Sequence, residues 1–199
     1  MISVDQAIKI VKENVTNTNY KELLPTKISL GYVISDNLYS PINMPPFRQS
    51  AMDGYAVNTQ KINSYNIVGE VKAGDALNPK LNKGEGVRIF TGAAVPDDAN
   101  AVVMQEKVER INNTITIKSV IKDQENIRPL GEQIQKGEKA LLKGTKLTPS
   151  GIGYLLSLGI TEVEVFKKPS VGIVVTGNEL IESGKPLNHG QIYESNGAM

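Results

Sequence analysis

Asp53 is the side chain in this sequence that most strongly suggests chemistry. It lies in the stretch PPFRQSAMDGYA, residues 45–56, between the apolar residues Met52 and Tyr55. A carboxylate among apolar side chains must be hydrogen-bonded, paired or used in a reaction. Asp-Gly is also one of the strongest hairpin-turn signals, and a turn needs no function to explain it. The pair Asp53-Gly54 is therefore a candidate site with a purely structural alternative.

Two later stretches are candidate partners of Asp53. Thr91 opens a TGA motif after a predicted strand at residues 87–90, where small residues let a ligand approach and a hydroxyl can contact an anion. Thr-Gly is equally ordinary at the end of a strand. Glu179 follows the apolar run at residues 171–175, and open α/β sheets bind ligands beyond the carboxyl ends of their strands. Its alternative role is that of an early helical residue favoured by the helix dipole.

Other familiar kinds of site are weak or absent in the sequence. No GK[ST] follows a glycine-rich loop and no GxGxxG follows a strand, so simple ATPase and dinucleotide-binding functions are disfavoured. The chain has no cysteine, and His189 is its only histidine, so a metal would have to bind oxygen ligands. Arg88 and Arg128 could each clamp a phosphate or pair with a carboxylate.

The composition is that of a soluble globular protein. The 199 residues are 40% hydrophobic, and 22 basic against 21 acidic residues leave a formal charge of +1. This balance gives no electrostatic reason to expect nucleic acid or an anionic membrane as a partner. No apolar run approaches the roughly 18 residues that span a bilayer. We therefore expect a cytoplasmic protein.

The pattern of apolar residues predicts several elements. A capping box at Ser3 starts an amphipathic helix over residues 4–15, and a second short helix begins at Pro149 and stops at Gly159. Short strands are expected over residues 25–33, 38–40 and 161–166, with a hairpin in EKALLKGTKL, residues 138–147. Between residues 55 and 120, regularly spaced short apolar runs predict an antiparallel barrel or sandwich.

Residues 171–175 predict a different kind of strand. The run VGIVV has no polar alternation, as expected for a parallel strand that is covered on both faces. It would open an α/β domain after a boundary near residue 168, where Lys-Lys-Pro interrupts the chain. About thirty residues remain, and these are too few for the further β-α units of a doubly wound domain.

Six motifs taken together resemble one family. They are SAMDGYA, GVRIFTGAAVP, AVVMQE, NIRPLGE, VGIVVTGNEL and GQIYESN, in this order. The chain resembles the N-terminal portion of the molybdopterin molybdotransferases of the MoeA type, a family that includes the E domain of gephyrin. The resemblance implies a mixed α+β fold. It places the helix in residues 1–24, a β-rich elongated first domain in 25–44 and 136–168, an inserted compact β-rich domain in 45–135, and the start of a truncated MogA-like α/β domain in 169–199.

The resemblance also implies an activity, which is the insertion of molybdate into adenylylated molybdopterin with release of AMP, assisted by Mg²⁺. Asp53, Thr91 and Glu179 match residues regarded as functional in the family, and Asp53 and Glu179 are the expected oxygen ligands of the metal. Ser50, Gly54, Gly92 and Arg128 are assigned to binding of the cofactor substrate.

The expected partners are a second copy of the chain and a MogA-like adenylyltransferase that supplies the substrate. The sequence departs from the family where GEQ replaces GED, so that Gln133 occupies a position that is often aspartate. The role of that carboxylate would then be reduced or taken by Glu132. Because only the first part of the family fold is present, we expect this chain alone to be inactive. The alternative function is a non-catalytic binding or scaffold module of the gephyrin type.

Overall fold

The computed structural model describes residues 2–16, 19–59 and 62–198. It divides the chain into two compact units. One unit is the continuous segment Lys21–Val165, and the other combines the chain up to Tyr20 with the chain from Phe166 onward. The candidate residues Asp53 and Thr91 belong to the first unit, and Glu179 belongs to the second.

The elements are short throughout. In chain order they are α1 (Val4–Asn14), β1 (Lys21–Pro25), β2 (Val33–Ile34), β3 (Leu38–Tyr39), β4 (Gln49–Ser50), β5 (Gly54–Val57), β6 (Ser64–Val71), β7 (Glu85–Ile89), β8 (Ala101–Met104), β9 (Val108–Ile111), β10 (Thr114–Ile117), β11 (Ile127–Arg128), β12 (Lys139–Leu141), α2 (Pro149–Ser157), β13 (Glu162–Phe166), β14 (Leu180–Ile181) and β15 (Ile192–Tyr193). Single turns of 3₁₀ helix occupy Thr26–Ile28, Gln105–Lys107 and Asn196–Ala198.

A six-stranded mixed sheet carries the candidate site, and its strand order is β8-β5-β7-β6-β10-β9. Strand β5 lies between β8 and β7, and all four of its residues are buried. Tyr55 and Val57 join an apolar cluster on one face of the sheet, whereas Ala56 joins a separate cluster on the other. Burial on both faces explains why GYAV is apolar without alternation.

The antiparallel barrel or sandwich predicted for this region is wrong in two respects. Strands β6 and β7 are parallel, with Ile67 opposite Gly86 and Val71 opposite Ile89. The strands form a single sheet whose edges are β8 and β9. Apolar periodicity shows which residues are buried, but it carries no information on strand direction. The crossover through residues 72–84 therefore could not be read from the pattern.

A second sheet joins the two ends of Lys21–Val165. Its strand order is β1-β13-β2, and β3 pairs separately with β12. The predicted hairpin at residues 138–147 is therefore wrong, because its first arm pairs with β3 and its second arm bridges to β2 through Lys146 and Val33. The chain segments that lead into and out of the six-stranded sheet also meet, where the Met44 amide donates to the Ile134 carbonyl at 2.9 Å.

Helix α2 forms where its terminal signals predicted it. The Thr148 hydroxyl accepts a hydrogen bond from the Gly151 amide at 3.1 Å, and Pro149 is the first helical residue. Gly159 follows the helix with φ of 78°, a conformation that favours glycine. Leu155 on this helix packs with Ile34, Leu147, Val163 and Val165, which form the core beside the second sheet.

Helix α1, in the other unit, has the predicted capping box. The Ser3 hydroxyl accepts from the Gln6 amide at 3.2 Å, and the Gln6 side chain accepts from the Ser3 amide at 2.9 Å. The helix ends at Asn14, and none of its residues is buried. Within the described residues, neither α1 nor α2 is long and apolar enough to cross a membrane.

The strand predicted over residues 171–175 is not formed. These residues have no regular secondary structure, and Val174 is 87% exposed. The nearby strands β14 and β15 pair with each other in parallel, with Leu180 opposite Ile192. A parallel strand needs neighbours that take its backbone hydrogen bonds, and no described strand is aligned beside residues 171–175.

Candidate functional site

Asp53 and Thr91 are in direct contact. The Asp53 carboxylate oxygen Oδ1 accepts two hydrogen bonds from Thr91, one from the backbone amide and one from the hydroxyl, both at 2.7 Å. Both side chains are exposed. The second oxygen, Oδ2, accepts no hydrogen bond from the residues that the structure describes. The pair thus presents a fixed carboxylate with one oxygen open to a ligand.

The register of two strands brings this pair together. Asp53 immediately precedes β5, and Thr91 comes two residues after the end of β7. These strands are antiparallel, with Gly54 opposite Ile89. The start of β5 and the end of β7 therefore lie next to each other, at the same end of the strand pair. The predicted partnership of Asp53 and Thr91 follows directly from this register.

Hydrogen bonding keeps the carboxylate ionised. The pKa of Asp53 lies below its usual range, first because of the Thr91 amide and then because of the Thr91 hydroxyl. The positive charge of Arg88 lowers the pKa further, and partial desolvation opposes these effects. Asp53 is therefore a stable anion at neutral pH. That state suits a metal ligand or a hydrogen-bond acceptor better than a general acid.

The predicted binding residues Ser50, Gly92 and Arg128 lie on adjacent backbone segments. The Gly92 amide donates to the Ser50 carbonyl, and the Ser50 amide donates to the Ala93 carbonyl, both at 2.9 Å. On the other side, β4 pairs with β11, which places Arg128 opposite Gln49. The Ser50 hydroxyl is buried and donates to the Met52 carbonyl at 2.7 Å, so it shapes the turn before Asp53.

Gly54 and Gly92 have structural reasons to be glycine. A Cβ at Gly54 would overlap the Val103 carbonyl oxygen on the neighbouring strand β8. Gly92 has φ of 88°, which side-chain-bearing residues rarely adopt. Gly54 thus allows β5 and β8 to approach each other closely, and Gly92 allows the backbone turn that follows Thr91.

Two arginines hold backbone around the site. Arg88 donates from Nη1 to the Gly54 carbonyl at 2.8 Å and from Nη2 to Gln105 Oε1 at 2.6 Å. Neither bond is to a carboxylate, so the pairing considered from the sequence is not observed. Arg48 donates to the carbonyls of Pro96, Asp97 and Ala99 at 2.7, 3.2 and 2.9 Å. Sequence reasoning missed the role of Arg48, since backbone carbonyl acceptors leave no trace in residue types.

Glu179 belongs to the other compact unit and lies in an exposed turn just before β14. It is neither the early helical residue nor the residue beyond a buried strand that the sequence suggested. Its carboxylate folds back over Gly177, where a Cβ would approach Glu179 Oε1 to 2.8 Å. Its backbone carbonyl accepts a hydrogen bond from the Ile192 amide at 2.8 Å.

The remaining polar candidates are exposed. His189 lies in a turn, and Glu132 and Gln133 lie in a bend. The Gln133 amide donates to the Met44 carbonyl at 2.9 Å. Among the described residues, no group of three or more histidine, cysteine or acidic side chains is arranged to hold a metal ion.

Comparison with known proteins identifies the family. The family model described as the MoeA N-terminal region (domain I and II) matches residues 2–159, which is well over half of the chain. The chain therefore belongs to the MoeA family and represents its N-terminal region. The resemblance inferred from the six motifs is confirmed.

Curated relatives and solved structures agree with this family. The chain is 38% identical to the molybdopterin molybdenumtransferase of Haemophilus influenzae, covering 98% of this chain and 50% of the relative. It is 34% identical to the protein of that name from Staphylococcus epidermidis, covering 100% and 49%. The crystal structure of the molybdopterin biosynthesis MoeA protein from Pyrococcus horikoshii OT3 aligns with a TM-score of 0.86 at 33% identity, covering 98% of this chain and 54% of that one. The chain spans about half the length of the relatives it matches.

Proposed function

We propose that the protein to which this chain belongs inserts molybdate into adenylylated molybdopterin and releases AMP. Family membership supports this proposal, as do the names of two relatives that match over almost the entire chain. The observation in the structure that carries it is the Asp53-Thr91 pair, in which two donors hold Oδ1 and Oδ2 is open.

The charge of the substrates determines what Asp53 can do. Molybdate and a phosphoanhydride are both anionic, so an ionised carboxylate would repel them unless a cation lay between. Oxygen donors suit Mg²⁺, which commonly binds through one or two carboxylates and completes its shell with substrate phosphates and water. Asp53 offers its open oxygen Oδ2, which fits a Mg²⁺ ion that has a single carboxylate ligand and takes its other ligands from substrate and water. When bound, Mg²⁺ would neutralise charge on the anhydride and on molybdate.

The other residues have distinct proposed roles. Thr91 orients Asp53 and presents its hydroxyl beside any oxyanion bound there. Arg128, which is exposed on β11, supplies a positive charge to the anionic substrate. Ser50, Gly54 and Gly92 form the close-packed backbone against which the substrate binds. Glu179 is proposed as an oxygen ligand of a metal ion, on the strength of the TGNEL motif alone.

The proposal includes partners. Because the substrate is itself adenylylated, an adenylyl-transfer reaction must precede this one, and a MogA-like adenylyltransferase would supply it. We also propose a homodimer and a cytoplasmic location. The domain assignments 1–24, 25–44 with 136–168, 45–135 and 169–199 stand as part of the same proposal.

Asp53→Asn tests the proposal in the gene product that contains this chain. The substitution keeps the shape of the side chain and removes its charge. We expect molybdate-dependent AMP release to fall at least about a hundredfold, since a charge-stabilising ligand is lost. Asp75→Asn is the matched control, because Asp75 is also exposed and also accepts a backbone amide hydrogen bond, from Lys72 at 2.8 Å.

Three measurements complete the test. Circular dichroism must show that both variants are folded. Omission of Mg²⁺ must lower wild-type AMP release far more than it lowers the residual release of Asp53→Asn. Undiminished turnover by Asp53→Asn would refute the assignment, and binding of the substrate without any turnover by the wild-type protein would favour the scaffold alternative.

A further inference from the structure

Arg88 has a set of contacts that surrounds the backbone at Asp53. Its Nη1 donates to the carbonyl of Gly54, the residue that follows Asp53, and its Nη2 donates to Gln105 Oε1. The backbone amide of Gln105 in turn donates to the backbone carbonyl of Asp53 at 3.2 Å. These bonds form a ring through Arg88, Gln105, Asp53 and Gly54, so the carbonyls of both Asp53 and Gly54 are held.

Aromatic rings fix the guanidinium in this place. Its central carbon lies 5.2 Å from the ring centroid of Tyr55 and 4.8 Å from that of Phe90. Tyr55 is directly opposite Arg88 in the β5-β7 register and is almost fully buried. Phe90 immediately precedes Thr91. One side chain thus contacts the residue next to Asp53 and the residue next to Thr91, and a planar, stacked guanidinium is rigid enough to set their spacing.

We propose that Arg88 is a positioning residue, whose guanidinium fixes the backbone at Asp53 so that the carboxylate stays turned toward Thr91. The inference rests on the proposed function only in its consequence for catalysis. Its structural part concerns the contact between Asp53 and Thr91 and can be measured without any substrate.

The hydrogen bond from the Thr91 amide to Asp53 is the direct readout. Arg88→Gln removes both the positive charge and the pair of guanidinium donors Nη1 and Nη2. Arg88→Lys keeps the charge but removes that pair of donors. We expect the Thr91 amide proton of this chain to shift toward that of Asp53→Asn in both variants, and its hydrogen exchange to accelerate about tenfold, as for the loss of one restraining hydrogen bond. The two variants separate geometry from charge, because only Arg88→Gln removes the positive charge near Asp53.

Two further variants complete the set, one that weakens the same contact by a smaller amount and one that serves as a control for the loss of an arginine. Gln105→Ala removes one partner of Arg88 at an exposed position outside the sheet, and we expect a smaller change at Thr91 in the same direction. Arg110→Gln is the matched control, because Arg110 also donates to a backbone carbonyl, that of Asn112 at 2.8 Å, from edge strand β9 of the same sheet. It should leave the Thr91 amide unchanged.

The outcomes separate this inference from the proposed function. An unchanged Thr91 amide in folded Arg88→Lys and Gln105→Ala would overturn the positioning role, whatever the activity of the gene product. If Thr91 responds and AMP release falls mainly through kcat, the role extends to catalysis. If Thr91 responds but Asp53→Asn retains full AMP release, the positioning role stands and the catalytic assignment of Asp53 fails.

Discussion

The chain contains the same local motif twice, with opposite structural results. In VRIFTG a run that is apolar except for Arg88 leads to Thr91-Gly92, and in GIVVTG an apolar run leads to Thr176-Gly177. The first run forms strand β7, which is paired on both sides with β5 and β6. The second run, at residues 171–175, is exposed and has no regular secondary structure.

The difference lies in what surrounds each motif. Ile89 in the first run is fully buried, whereas Ile173 in the second is 64% exposed. Thr91 hydrogen-bonds Asp53, which lies 38 residues earlier in the chain, but the Glu179 carboxylate bends back over Gly177 only two residues away. The paired strands β5 and β7 therefore give the first Thr-Gly motif a distant carboxylate as its partner, whereas the second has only local contacts.

Removing the same side chain from each run gives the largest expected contrast. Ile89→Ala leaves a cavity in a fully buried cluster, so we expect the free energy of unfolding of the Lys21–Val165 unit to fall by about 4 kcal/mol. Ile173→Ala should change it by less than about 0.5 kcal/mol. Urea unfolding followed by circular dichroism measures both. Equal losses would show that residues 171–175 are packed in solution.

Adding a methyl group to a glycine in each region is the second test. Gly54→Ala puts a Cβ against the Val103 carbonyl oxygen, so the β5-β8 pairing must shift, and we expect a loss of about 3 kcal/mol. Gly172→Ala meets nothing within 4 Å and should be close to neutral. The same unfolding measurement applies. A neutral Gly54→Ala would mean that β5 and β8 can separate at no cost.

Replacing each threonine with valine tests the two motifs at their hydroxyl groups. Thr91→Val removes one of the two donors to Asp53 Oδ1, so the pKa of Asp53 should rise toward its usual range. Thr176→Val should leave the pKa of Asp53 unchanged. The carboxyl carbon of Asp53, followed by NMR as a function of pH, reports both results. A wild-type value in Thr91→Val would show that the amide alone holds the carboxylate.

The smallest expected effect is on the pH dependence of stability. The pKa of Asp53 is lower in the folded protein than in the unfolded chain, so its stabilising contribution is present above the unfolded value of about 4 and is lost as the pH falls through the folded value. Wild type should therefore lose stability more steeply than Asp53→Asn in this acid range. Adding Thr91→Val to Asp53→Asn should not flatten the acid dependence further, because the two residues form one unit.

Local signals in the sequence were sufficient for both helices. Ser3 with Gln6, and Thr148 with Pro149 and Gly159, specify helix ends through contacts within a few residues. The pairings between distant segments could not be predicted in this way. Strand β12 pairs with β3, about a hundred residues earlier, rather than forming a hairpin. Strand β6 runs parallel to β7 because the connection between them crosses back along the sheet, and apolar periodicity does not encode that path.

The candidate site was likewise predictable only where local sequence motifs define it. Asp53 and Thr91 were identified from residue type and motif, and the structure brings them into contact. Strand 171–175 was predicted beside Glu179 and does not form, since an apolar run cannot pair alone. The contributions of Arg88 and Arg48 were not predictable, because their acceptors are mostly carbonyl groups of ordinary residues.

The contact between Met44 and Ile134 has a consequence for the order of assembly during folding. Strands β1 and β13 come from opposite ends of Lys21–Val165, and joining them directly would require closure of a very long flexible loop. Once the six-stranded sheet between these residues has formed, the Met44-Ile134 bridge shortens that loop to a few tens of residues. We expect the six-stranded sheet to acquire protection from hydrogen exchange first and the three-stranded sheet last.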